Sequence, residues 1–418
     1  MTIPTVAPTP RRALVRAGTV VAIATAAANV VAFALTIVLG RLLTVADFGA
    51  VVALLGVAIV GQVPAMALQV VVARHMATAT AVTRPGLARA LLLHAGLVAL
   101  AVAALAALIT VPATGLLHLG SPGPMAWLAA SLAPVTLIFA VQGLLQGEER
   151  FTALGVFLVV MAVTRVGGGL AGSGFGPAGV FAGIALGAVA ALAVALFLVR
   201  RDLVVRRDLV SAGGQPFQPR EFYGELWTAV AGMGALLALT NVDVMLARHF
   251  LSRHDSGLYA AGAVASKIAF WFPQAVAVVV FPRLADAEQR EGLLARAATV
   301  VIGLGLLTSA GTALLGPWIF GILLGAEYRT LGATLGVFAA AGAAGTLVQL
   351  LLYSGIASKD RAITAVLVAA LVVLVGVVST VAHGSVTTII VTVLTTLVTL
   401  AVVGLLLSRW RSRATVRD

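Results

Sequence analysis

Long apolar runs separated by short polar breaks dominate the chain. A helix needs about 20 apolar residues to cross the hydrocarbon core of a bilayer. Twelve runs reach that length, at 17–40, 50–73, 87–111, 124–146, 152–173, 177–199, 224–247, 257–281, 297–316, 330–354, 361–382 and 385–407. An open sheet would leave its edge groups unbonded in lipid, so every run predicts a helix. The first run exceeds the 7–15 residues of a signal-peptide core and is read as a retained transmembrane helix.

The breaks between runs repeat. Gly40-Arg41 ends one run and Asp47-Phe48-Gly49 opens the next; Ala247-Arg248 and Asp255-Ser256-Gly257 do the same later in the chain. Asp favours the positive N-terminal end of a helix dipole and Arg the negative C-terminal end, so each stretch predicts a capped helical hairpin. The correspondence continues through Pro64 and Pro273 to Arg74 and Arg283, at offsets of 207 to 209 residues. Six spans per repeat give both halves the same orientation, related by a pseudo-two-fold axis along the membrane normal. The expected architecture is therefore an all-α polytopic membrane protein of twelve transmembrane helices in two six-helix lobes. The N-terminal lobe covers 1–200, a cytoplasmic linker 201–223, and the C-terminal lobe 224–418. Such repeats enclose a cleft at their interface and work by alternating access.

Composition agrees with this picture. The chain is 61% hydrophobic and 10% charged, against about 25% charged in soluble domains. Its net charge of +12 does not signal nucleic acid, because the charges sit at the ends of apolar runs. With the N-terminus inside, twenty-one of the 27 basic residues fall in cytoplasmic segments, and only Arg41, Arg248, Arg253 and Arg329 fall outside. That bias predicts a multi-pass protein of the cell membrane with both termini cytoplasmic. Cys is absent, which excludes disulfides, thiolate metal sites and cysteine nucleophiles. No loop is long enough to hold a soluble domain, so no catalytic residue, metal or cofactor is expected.

Five segments in order, GRLLTVADFGAVVAL (40–54), QGLLQGEERF (142–151), DVMLARHFLSRHDSGLYAAGAVASK (243–267), VVVFPRLAD (278–286) and LLGAEY (323–328), resemble the polysaccharide-export (oligosaccharide) flippases. These belong to the multidrug/oligosaccharidyl-lipid/polysaccharide exporter superfamily. The resemblance covers nearly the whole chain. It implies two six-helix lobes in a V and export of lipid-linked oligosaccharide or a related anionic glycolipid from the cytoplasmic to the outer leaflet. Membrane lipids and the lipid-linked glycan would be its partners, with a glycan polymerase or glycosyltransferase as candidate protein partners. A fourteen-helix peptidoglycan-precursor flippase is less similar, because two further spans are not found.

Charge inside a bilayer costs at least ~2.5–3.5 kcal/mol for Arg or Lys at a helix centre, and such residues face a bundle interior or a wet cavity. Arg165 and Lys267 both lie near the midplane, and Gln274 follows Lys267 by seven residues, on the same helix face. They are read as a cationic site for a diphosphate headgroup, the alternative being structural pairing. Gln62, Gln69 and Asn29, with Thr25, are candidates for bonding sugar hydroxyls, or else bridge neighbouring helices. Asp243 is the one acid well inside a span. It is a candidate for coupling to H+ or Na+, or for neutralising Lys267 or Arg248; its counterpart in the first half is Thr36. Arg41 and Arg248 are gating candidates. His94 reads as a packed or cleft residue, and Trp127, Trp227, Trp318 and Trp410 as interfacial anchors. Two rival functions remain open: a drug/cation antiporter of the same superfamily, and a polytopic glycosyltransferase-like enzyme. The first would need a clearer acid in the first half and would meet repulsion from Arg165 and Lys267. The second would need a carboxylate pair on an outer loop.

Overall fold

The computed structural model describes residues 11–80, 83–203, 217–280, 290–357 and 362–415, and among these the backbone is helical apart from short turns. The helices are α1 (Arg11–Leu42), α2 (Val45–Gly61), α3 (Val63–Thr78), α4 (Arg84–Leu116), α5 (Gly123–Gly147), α6 (Phe151–Gly172), α7 (Gly176–Leu203), α8 (Pro219–Leu239), α9 (Val242–Phe250), α10 (Arg253–Val280), α11 (Arg290–Leu323), α12 (Thr334–Ala357), α13 (Ala362–Thr380) and α14 (Val386–Thr415). Nine described stretches are long and apolar enough to cross a membrane, and Ala365–Thr380 is a shorter apolar helix. One of the nine, Phe151–Arg200, holds both α6 and α7. With α10, the helices account for each of the twelve runs, and the all-α polytopic fold expected from the pattern is the fold observed.

Two spans are not single helices. α2 stops at Gly61 and α3 restarts at Val63, with Pro64 in its first turn. Proline is tolerated there because its missing N–H would be unpaired anyway. Gln62 stays in the helical region (φ −86°, ψ −4°), so Pro64 marks an interruption within the single 34-residue span Val45–Thr78. The run 224–247 breaks at Thr240–Asn241. The Asn241 N–H bonds Ala238 O at 3.2 Å, one residue short of the α-helical partner. The Leu237 carbonyl instead accepts from Asn241 Nδ2 at 2.9 Å, and Leu236 O from Thr240 Oγ1 at 2.9 Å. The Asn241 side chain thus satisfies the carbonyl that the break releases, as an apolar setting requires, whereas Leu236 O also keeps the Thr240 N–H (3.0 Å).

Contacts divide the chain into two compact units: 1–36, 61–111 and 121–230 in the first, and 37–60, 112–120 and 231–418 in the second. The core of the first unit gathers Ile138, Val141, Leu145, Leu154, Phe157, Ala191, Ala195 and Val199 from α5, α6 and α7. Glycine sets the spacing of α6 and α7, since a Cβ on Gly168 or Gly172 would run into the carbonyls of Gly183 and Gly179. Small residues let backbones approach in this way where lipid supplies no hydrophobic drive. In the second unit α12 packs on α10 and α11. Ser266 donates to Phe338 O (2.6 Å) and Thr346 to Phe270 O (2.9 Å), tying α10 to α12.

Candidate functional site

The repeated hairpins occupy one end of the second unit. At each, a hydroxyl residue caps the helix that follows. Thr44 Oγ1 accepts the Asp47 N–H (3.1 Å) and donates to Asp47 Oδ2 (2.9 Å); Ser252 and Asp255 make the same pair at 3.0 and 2.8 Å. This is a capping-box arrangement with Asp in the third helical position. The helix dipole accounts for Asp47 and Asp255 only in part; the T-x-x-D and S-x-x-D spacing is the sequence signal of these caps.

The arginines do not serve their own helices. Arg41 donates from Nε to Leu323 O at 2.8 Å and from Nη2 to Ile322 O, the last turn of α11. Arg248, only 5% exposed, donates to Leu117 O (3.0 Å), His118 O (3.4 Å), Ala46 O (3.2 Å) and Ser256 Oγ (2.9 Å). Leu117 and His118 follow the last turn of α4. Burial, then the Arg253 charge, works against the charged Arg248 guanidinium, and the Asp47 carboxylate works for it. Between the arginines the backbones meet at glycine: a Cβ on Gly49 would lie 2.8 Å from Gly257 N, and one on Gly257 would strike Val45 O. Beside them Phe48 meets the edge of Tyr328, with centroids 6.0 Å apart. Burial, then the Glu327 charge, pushes the Tyr328 phenol up to about 12, so it stays neutral.

Asp243 lies in the first turn of α9 and is 7% exposed. Its Oδ2 accepts from Tyr259 Oη at 2.8 Å. Its Oδ1 is buried without a hydrogen bond, as is Asn241 Oδ1 two residues away. No ion pair between Asp243 and Lys267 occurs among the described residues. Arg248 is committed to carbonyls instead. Tyr259 carries no signal of this role in the sequence, where it reads as one more aromatic in an apolar run.

Arg165 sits in α6, half-buried, and makes no hydrogen bond or ion pair among the described residues. Lys267 is half-buried on α10. Gln69 Nε2 donates to Gln146 Oε1 at 3.2 Å and so bridges α3 and α5. Gln62 is half-buried at the α2–α3 break; Asn29 and Thr25 are exposed on α1. Gln274 belongs to α10, but its side chain lies outside the described residues, as do those of Trp271, Pro273 and Trp410. His94 Nδ1 pairs with Tyr223 Oη at 3.0 Å and its ring packs 4.8 Å from Phe217, a packed histidine of the first unit. Trp127, Trp227 and Trp318 are exposed, as interfacial anchors would be. Among the described residues no group of three metal-ligating side chains occurs.

No protein-family model matches the chain, and no curated protein matches it in sequence. Its fold does match solved structures. An inward-facing multidrug resistance MATE family transporter of the MOP superfamily aligns with TM-score 0.74 and 13% identity, over 94% of this chain and 96% of that one. The lipid II flippase MurJ, in an inward closed conformation, aligns with TM-score 0.71 and 12% identity, over 93% and 86%. A MOP superfamily transporter from Pyrococcus furiosus, described by the reverse polarity of its binding pocket, aligns at 0.55 and 14%, over 94% and 93%. The chain has the fold of the MOP superfamily transporters.

Proposed function

We propose that the protein is a flippase that moves a lipid-linked oligosaccharide or related anionic glycolipid from the cytoplasmic to the outer leaflet by alternating access. Its lobes are 1–200 and 224–418, joined by the linker 201–223, and both termini are cytoplasmic. The observation that carries this reading is Arg165. A guanidinium inside a membrane span is costly, and no acid among the described residues offsets it. A guanidinium is suited to a diphosphate, which it can bind through two parallel N–H donors, and Lys267 is a separate candidate point charge in the second unit. Gln62, Gln69, Gln274 and Asn29 are assigned to sugar hydroxyls, Asp243 to coupling with H+ or Na+, and Arg41 and Arg248 to gating. The MurJ likeness in fold supports a lipid substrate.

In proteoliposomes, the purified protein is expected to flip a fluorescent polyprenyl-diphosphate sugar, and Arg165→Gln to slow that at least tenfold with protein levels unchanged. A protein that extrudes lipophilic cations and leaves the glycolipid in place belongs to the second reading, a drug/cation antiporter. That reading is favoured by the MATE likeness and by the buried carboxylate of Asp243.

A further inference from the structure

We propose that Arg41 and Arg248 are reciprocal clamps that hold one face of the transporter shut. The proposal rests on the alternating-access reading above. Arg41 belongs to the first half of the sequence and grips the carbonyl end of α11 in the second half; Arg248 belongs to the second half and grips the carbonyl end of α4 in the first. The two arginines are repeat counterparts, and so are the two helix ends, at the same offset of 207 residues. Position 118 and position 325, which close α4 and α11, both take positive φ, 47° at His118 and 133° at Gly325. At each helix end the chain's own N–H groups cap the earlier carbonyls, and a guanidinium takes the ones that follow, carbonyls that a helix end leaves without an intrahelical partner.

The chemistry suits a contact that must open again. The four oxygens around Arg248 are carbonyls and a hydroxyl, not carboxylates. When the clamp releases, water replaces them without stranding a buried anion, which a broken buried ion pair would do. At Gly49 and Gly257 the seam is backbone against backbone, so separation there breaks little side-chain packing beyond the neighbouring Phe48–Tyr328 contact. The caps Thr44–Asp47 and Ser252–Asp255 keep the helix starts formed on both sides of the seam. The halves can then separate as preformed pieces.

The chain contains no cysteine, so single cysteines report directly. Ala50 is 4% exposed beside Gly49, and Ala140, in α5, is fully buried. In an Ala50→Cys protein, a membrane-impermeant maleimide is expected to react slowly. Adding Arg41→Gln or Arg248→Gln raises the rate severalfold, and both together at least tenfold, while Ala140→Cys stays unreactive in every background. Arg41→Lys and Arg248→Lys keep the charge but lose the forked donors, and they are expected to give the same selective rise where the Gln variants do not fold. An unchanged rate in the double variant overturns the proposal, and so does an equal rise at Ala50→Cys and Ala140→Cys. The readout involves no substrate, so a protein that fails to flip glycolipid but shows the selective rise refutes the substrate reading and keeps the clamp.

Discussion

A carboxylate inside an apolar span persists only where its surroundings hold it. At Asp243 one oxygen has the Tyr259 hydroxyl and the other has no hydrogen bond, with Asn241 Oδ1 equally unmatched nearby. Two buried acceptors with nothing to accept are an invitation to a proton or a small cation. The repeat counterpart, Thr36, offers neither: its Oγ1 folds back on Ala32 O at 3.4 Å. The halves differ at this position in backbone, since α1 runs unbroken through Thr36 where the second half restarts at Val242, and in charge; coupling through Asp243, as proposed above, would therefore belong to the second half alone. Asp243→Asn is expected to abolish glycolipid flipping in proteoliposomes with expression and chromatographic behaviour intact; normal flipping removes Asp243 from the mechanism. Tyr259→Phe leaves a second carboxylate oxygen unmatched and is expected to cost about 1–3 kcal/mol of stability, read as a lower midpoint in thermal unfolding. The charged residues were legible in the sequence because charge in an apolar run stands out. Tyr259 was not, because an aromatic in an apolar run is unremarkable until its partner, sixteen residues away in sequence, is found opposite it.

Helices show the same division. Their number and approximate limits follow from run length, since twenty apolar residues admit little else in lipid. The interruptions do not follow. The run 224–247 is apolar enough to read as one span, yet T-N-V-D at 240–243 carries the side chains that make a break affordable in hydrocarbon. Pro64 was visible as a helix breaker, but whether it kinks a helix or starts one depends on Gly61 and Gln62 before it. Glycine likewise has two meanings that sequence cannot separate. Gly167 and Gly168 are neighbours in G-G-G. A Cβ on Gly167 meets nothing within 4 Å, whereas one on Gly168 strikes the carbonyl of Gly183. Gly167→Ala is therefore expected to leave the thermal midpoint unchanged or raise it, because Ala is the better helix former by about 0.5–1 kcal/mol. Gly168→Leu forces α6 from α7 and is expected to destabilise by about 1–3 kcal/mol or more. Equal midpoints for the two variants would show that α6 and α7 do not pack through this glycine face.

On the scale of the whole molecule, the punctuation GRLLTVADFG and ARHFLSRHDSG proved to be one structure seen from two halves. Its repetition was readable; its closure was not, because Arg41 and its acceptors are more than 280 residues apart and the acceptors are backbone carbonyls without a sequence signature. What the seam does depends on which side of the membrane it faces. The expected distribution of basic residues, twenty-one on the cytoplasmic side and four outside, would turn the hairpins carrying Arg41 and Arg248 outward. In that orientation the proposed clamps would bar the outer leaflet while they hold, and their release would be the step that delivers substrate. Reversing the orientation would turn the same device into a bar on substrate entry. Two positions distinguish the cases in the cysteine-free chain. Ser121, in the turn after α4, is exposed on the side of the seam, and Thr80, in the turn after α3, lies at the opposite helix ends. In intact cells an impermeant maleimide is expected to label Ser121→Cys and to reach Thr80→Cys only after permeabilisation. The opposite pattern would place the clamp on the cytoplasmic face and reverse the order of steps, since the leaflet that loads substrate would then be the one the arginines close.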